Sequence, residues 1–244
     1  MSSIREWSQI SALTAHAEPR EVTTVDCLFR IATNLVGSER CWIGRGGLLH
    51  YKADIAGGSL KLYESRIIAG LLLESVSAEK WKQAIEVENV LQKTSQGTAK
   101  RQASLIRARL KTMTSSHWIL VRDGPKPLAT QSVFAAAISH SQLLKDFLLL
   151  YVCDHFRTGN LELTRRHWRT FVASCRERDP EMPSWTQSTT DKLGDSVFQI
   201  LTEVGMLSEG SKPSLQRVHY QPEIMSYLRE HKCEEVVRAM QAFL

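Results

Sequence analysis

The sequence predicts an all-α protein, a multi-helix globular bundle with a helix-turn-helix-like C-terminal part. Three observations carry this expectation. Apolar residues recur at spacings of three and four along most of the 244 residues, the period of a helix face. Period-two alternation, the mark of a half-buried strand, is nearly absent. Capping and stop residues (Ser, Thr, Gly, Pro) fall at the ends of the periodic segments.

In chain order, Val22, Val25, Leu28, Phe29 and Ala32 suggest a first helix after Pro19. The glycine-rich stretch GRGGLLHYKADIAGGSL then sets residues 1–50 apart as an N-terminal extension. Glu64–Leu73 reads as a second helix through Ile67, Ile68, Leu71 and Leu72. Ser77 is a plausible N-cap for a third, with Trp81 and Ile85 inward. Gly97 and Thr98 break and cap before a fourth. After Ser116 the short segment WILVRDG closes in the turn signal DGPKP (Asp123–Pro127). An alanine-rich helix, Leu128–Ser139, and a strongly apolar one, Ser141–Phe156, complete a helical bundle over 51–156.

The loop RTGN (Arg157–Asn160) is a candidate boundary, with a C-terminal helical subdomain over 157–244. Thr164 caps a helix that runs to Arg178 and ends at DPEMP. Ser188 opens the next, with Asp191 three residues on in a capping-box-like spacing. Leu193, Val197, Ile200, Leu201 and Val204 form its stripe, and Gly205 stops it. SLQRVHYQP is the one possible strand. Helices from Pro222 and from Cys233 close the chain.

Net charge is +5 with a pI near 9.0, which favours an acidic partner. The basic residues are not evenly spread. From Asn89 to Arg122 there is no acidic residue, although 26 acids in 244 residues would place about three or four there. On a helix at about 100° per residue, Ala103, Ile106, Leu110 and Met113 share one stripe, with Lys100, Arg107 and Lys111 grouped beside it. Arg101 widens the band, and Arg109 points nearer Leu105. The layout recurs after Thr164: Trp168, Phe171, Val172 and Cys175 make a buried stripe, flanked by Arg165, Arg169 and Arg176, with Arg166 alongside.

Lys100, Arg101, Arg165 and Arg166 fall in first helical turns, where the helix dipole disfavours cations unless an anion binds there. From the residues alone, the bands read as a nucleic-acid surface, as solvated faces, or as a surface for an acidic protein. The helix after Ser188 offers Gln187, Thr189, Thr190 and Lys192 at the position of a recognition helix.

Other chemistries find no residues to carry them. The phosphate-loop pattern GxxxxGK[ST] is missing, as are HExxH and any clustered Cys/His set of metal-ligand spacing. Five cysteines, odd in number with no CxxC, suit a reduced, cytoplasmic setting. The longest apolar runs, IIAGLLL and FLLLYVC, fall short of the roughly 18–20 residues that span a bilayer. The expectation is therefore no cofactor, no metal and no membrane.

Several long segments, in order, resemble the BrxA family of BREX (bacteriophage exclusion) systems. They are GGSLKLYESRIIAGLLL (Gly57–Leu73), VLQKTSQGTAKRQASLIRARL (Val90–Leu110), RERDPEMPSWTQSTTDKL (Arg176–Leu193) and FQILTEVGML (Phe198–Leu207). The resemblance covers about Tyr51–Leu244 and leaves residues 1–50 as an extension. It implies a non-enzymatic accessory protein encoded beside a DNA methyltransferase, an ATPase and a protease-like component. It also implies a NusB-like bundle and association with double-stranded DNA. Lys100, Arg101, Arg107 and Arg109 match as candidate DNA contacts. Where relatives often carry a basic residue after KL, this chain has Gly194 and Asp195, which weakens a base-reading role for that helix.

The combined expectation is a cytoplasmic DNA-binding component of a phage-defence system. Its phosphate contacts would come from Lys100, Arg101, Arg107, Arg109, Lys111, Arg165, Arg166, Arg169, Arg176 and Lys192. The alternatives are a scaffold for acidic surfaces of the methyltransferase or ATPase, and RNA binding on the NusB analogy.

Overall fold

Helix follows helix with little between. The computed structural model describes residues 51–55 and 57–243; the helix expected over Val22–Ala32 and the GRGG cluster lie outside the described residues. The order is α1 (Leu62–Leu73), α2 (Ala78–Lys82) prolonged by a π-helical turn (Gln83–Val87), α3 (Gln96–Leu110), α4 (Ser115–Asp123), α5 (Lys126–His140), α6 (Gln142–Thr158), α7 (Arg165–Arg178), α8 (Gln187–Val204), α9 (Pro222–Glu230) and α10 (Glu234–Met240).

α5 is the axis of the fold. Its alanines allow close approach, ten of its fifteen residues are buried, and α1, α3, α4, α6, α8, α9 and α10 all pack on it. A helix apolar on every side belongs in a core. At Ser141 the chain turns by 104° into α6. There the Ser141 hydroxyl accepts the Leu144 N–H (3.3 Å) and donates to Asp54 (2.5 Å). Among the described residues no single helix is long and apolar enough to cross a membrane. α6 contains a π-helical turn, Phe147–Val152. Tyr151 within it and His155 beyond it meet His167 near the start of α7, with the two histidine rings 4.8 Å apart.

The apolar core is continuous from Tyr51 to Ala242 and passes across the break at Gly159. α7 and α8 join it through the expected stripe. Trp168, Phe171, Val172 and Cys175 are buried, and the Phe147 ring packs edge-on to Trp168 and Phe171, 5.1 Å from each. Burial of side chains this size stabilises by about 1.5–3 kcal/mol each.

Several local expectations are revised. Ser95, not Thr98, caps α3: its extended backbone lets its Oγ accept the Thr98 N–H at 3.2 Å, and Gly97 lies inside the first turn. WILVRDG is not a separate segment but part of α4. Thr186, not Ser188, caps α8, accepting the Thr189 N–H at 3.2 Å. Within SLQRVHYQP only Ser214 and Leu215 form isolated antiparallel bridges, to Glu162 and Leu207. Thr164, Ser77 and Gly205 (φ +81°) do cap and stop as expected.

Candidate nucleic-acid interface

α3 buries Ala99, Ala103, Ile106 and Leu110. Lys100, Arg101 and Lys111 are exposed and Arg107 is half-buried. The acid missing from this part of the sequence is partly supplied across space. Glu86, from the π turn after α2, pairs with Lys100 at 2.8 Å, and Glu64 of α1 with Lys93 at 2.5 Å. Arg107 has a different partner: its guanidinium lies over the Trp81 ring, 4.3 Å from the centroid. This cation–π contact holds the charge in place without neutralising it. Among the described residues, Arg101 and Lys111 have no carboxylate within ion-pair distance.

Arg109 is the main correction on this helix. It is only 1% exposed and cannot reach DNA. Its Nη1 donates to the Ser59 carbonyl at 3.3 Å, while Nε and Nη2 have no hydrogen-bond partner among the described residues. Burial pushes its pKa down to about 10, partly offset by the nearby carboxylates of Asp54 and Glu203. It therefore stays protonated at neutral pH and serves as an internal prop. It supports the segment entering α1, whose Gly57 lies against Leu105 and whose Leu60 N–H donates to Glu203 of α8 at 2.7 Å.

On α7 the band of arginines expected to meet phosphates is in part a ladder of ion pairs. Arg165 pairs with Asp195, and Arg169 pairs with Asp191 at 2.9 Å. The register is antiparallel, and both acids lie on the outer face of α8. The Asp191 carboxyl is held below the usual carboxylate range, chiefly by its hydrogen bond to Arg169, and the Arg169 guanidinium is raised in turn. Arg165 also lies over the Phe198 ring at 5.9 Å. Arg176 donates to the Trp185 carbonyl at 3.0 Å. Arg166 and Lys192 are exposed, with no ion pair among the described residues. Beside the ladder, the start of α7, Phe198 and Thr202 of α8, and the 207–213 loop enclose a groove of about 550 Å³ that includes Arg165, Lys212, Glu162 and Glu209.

The ten expected contacts thus do not form one free cationic face. Arg101, Lys111, Arg166 and Lys192 are exposed and, among the described residues, without an ion pair. Lys100, Arg165 and Arg169 are paired, Arg107 is stacked, Arg176 is bonded to a carbonyl, and Arg109 is internal.

The family model described as BrxA matches residues 49–232. The chain belongs to the BrxA family. It is similar to the "BREX protein BrxA" of Paramagnetospirillum magneticum (strain ATCC 700264 / AMB-1), 56% identical over 78% of this chain and 96% of that protein. It is also similar to the "BREX protein BrxA" of Escherichia coli O9:H4 (strain HS), 32% identical over 85% of this chain and 93% of that protein. A crystal structure of an uncharacterized protein from Magnetospirillum magneticum superimposes with a TM-score of 0.74 at 53% identity, covering 79% of this chain and 98% of that one.

Sequence reading missed four partners in this BrxA-family chain: Trp81 under Arg107, Glu86 beside Lys100, and the two aspartates of α8. The last two had a signal. Asp191 and Asp195 are spaced i, i+4, as are Arg165 and Arg169, so each pair forms a row along one helix face.

Proposed function

We propose that this protein is a cytoplasmic, non-enzymatic component of a BREX phage-defence system that binds duplex DNA mainly through phosphates. Membership of the BrxA family supports the BREX assignment. The DNA reading rests above all on the rim of α3, where Arg101, Arg107 and Lys111 have no carboxylate partner among the described residues and lie beside a buried stripe. In this reading the 51–156 bundle supplies the principal contact. The 157–244 part, helix-turn-helix-like in order, adds Arg166 and Lys192. Contacts of this kind position DNA without reading sequence, so binding should be weakly selective.

A gel shift titrated with salt, using duplex DNA, single-stranded DNA and structured RNA side by side, tests the proposal. Duplex affinity should fall with a log–log slope of about −0.9 per phosphate neutralised. An affinity flat in salt, or a preference for RNA, would reject it. One observation favours a scaffold role instead: Arg165 and Arg169 already hold carboxylates, the group an acidic protein surface would present. Nuclease-resistant co-purification with the methyltransferase or ATPase, without any shift of DNA alone, would decide for that reading.

A further inference from the structure

α7 and α8 are joined twice, and the two joints differ in kind. Inside, the Trp168 ring lies against Gly194, the apolar stripes of both helices are buried, and the Trp168 indole N–H donates to the Thr190 carbonyl at 2.8 Å. Outside stand the two rungs of the ladder, with side chains 55% and 53% exposed at Arg165–Asp195 and 51% and 33% at Arg169–Asp191. Exposed ion pairs add little to helices already held by a buried seam. The ladder therefore calls for an account other than stability.

Its chemistry suggests one. Along each helix the two rungs are four residues apart, a rise of about 6 Å. To the arginines, Asp191 and Asp195 present a short row of anionic oxygens, as a phosphate backbone would. A guanidinium seated on an internal carboxylate is not available to a phosphate. A polyanion approaching this face would also meet two negative charges of like sign. Arg166 beside the ladder and Lys212 in the adjoining groove place further cations at the edge of the face, where Glu162 and Glu209 offset them.

We propose that Asp191 and Asp195 act as a built-in phosphate mimic, an autoinhibitory contact that keeps Arg165 and Arg169 off DNA and makes the α7 face a second, conditional DNA surface. This rests on the DNA-binding reading above. Release requires only that exposed side chains swing away, since the buried seam holds the helices in place.

The test compares full-length wild type, Asp191→Asn/Asp195→Asn and a control, Glu223→Gln/Glu234→Gln, which removes the same charge from exposed positions on α9 and α10. Binding to a duplex of about two turns is read by fluorescence anisotropy across salt, with helicity and melting checked for each. The aspartate variant should bind about tenfold more tightly at low salt, with a slope steeper by about one to two as two more phosphates are neutralised. The control should gain less than about twofold. Adding Arg165→Gln/Arg169→Gln to the aspartate variant should erase the gain.

An equal gain in the control, a gain that survives loss of the arginines, or unchanged affinity in a variant whose wild type does bind would overturn the latch alone. If no chain binds duplex at low salt, the DNA reading fails as well. Should the double variant unfold, Asp191→Asn alone carries the test with about half the effect on slope.

Discussion

Trp168 donates its indole N–H to the Thr190 carbonyl at 2.8 Å, and the same ring lies against Gly194, one turn further along α8. Three residues thus fix how α7 crosses α8, and with it the register of the arginine–aspartate ladder.

Gly194 is there to make room. A Cβ at this position would lie 2.6 Å from the Trp168 ring, which its hydrogen bond prevents from retreating. Gly194→Ala should destabilise by about 1–3 kcal/mol, the usual cost of overpacking a tight seam. Denaturant titration measures it, and an unchanged midpoint would show that the ring can yield.

Arg109 should behave as a core residue. Arg109→Ala removes a buried stem and its bond to Ser59, and should cost about 2–4 kcal/mol of stability. Duplex affinity of the folded fraction should change less than about twofold, because the guanidinium does not reach the surface. Chemical denaturation and anisotropy on the same sample separate the two effects.

Arg101 and Lys111 should do the opposite. Arg101→Gln with Lys111→Gln alters exposed side chains and should shift stability by less than about 0.5 kcal/mol. It should make the salt slope of duplex binding shallower by about 0.9 for each phosphate no longer neutralised. A slope equal to wild type would remove the α3 rim from the interface.

His117 should give the fold an acid-sensitive step. It is fully buried, its Nε2–H donates to the Ser132 carbonyl at 3.0 Å, and Nδ1 has no partner among the described residues. Burial pushes its pKa from 6.5 down to about 4, with His231 adding to the shift and the Ser132 bond opposing it. The unfolded chain therefore binds the extra proton first. The stabilisation is complete above about pH 6.5 and is lost as pH falls towards 4, about 3 kcal/mol in all. Burial raises the carboxyls of Asp54 and Asp146, so their contributions run the other way, present at low pH and lost as pH rises through their folded values. Subtracting the stability profile of His117→Gln, which can keep a donor to Ser132, isolates the histidine step. A flat difference between pH 7.5 and 4 would refute it.

The all-α architecture was legible because periodicity is a local property: the stripe of α7 and the caps at Ser77 and Thr164 are set by residues within a turn or two. Ser95 and Gly97 illustrate the limit at boundaries, since both belong to one turn and only backbone geometry separates cap from first-turn residue. Arg109 was misread because its burial depends on residues far along the chain. It sits about 60° from Ile106 on the helix wheel, where a long cation can turn either way. Ser59, Asp54 and Glu203 then favour the interior. The ladder was half legible: each row of charges was visible in its own helix, but facing them requires the crossing that Trp168 and Gly194 impose.

The π turn in α6 bears on the length of that stretch as well as its composition. A π turn holds one residue more than an α turn would, and here the surplus is taken up within Phe147–Val152, before the helix runs on to Thr158. Deleting one residue from Phe147–Val152 would remove the surplus and let an ordinary α turn form there, with His155 kept close to its present facing towards His167. The segment can thus lose one residue and still engage the start of α7, whereas the same loss from a regular α turn would turn everything beyond it by about 100°.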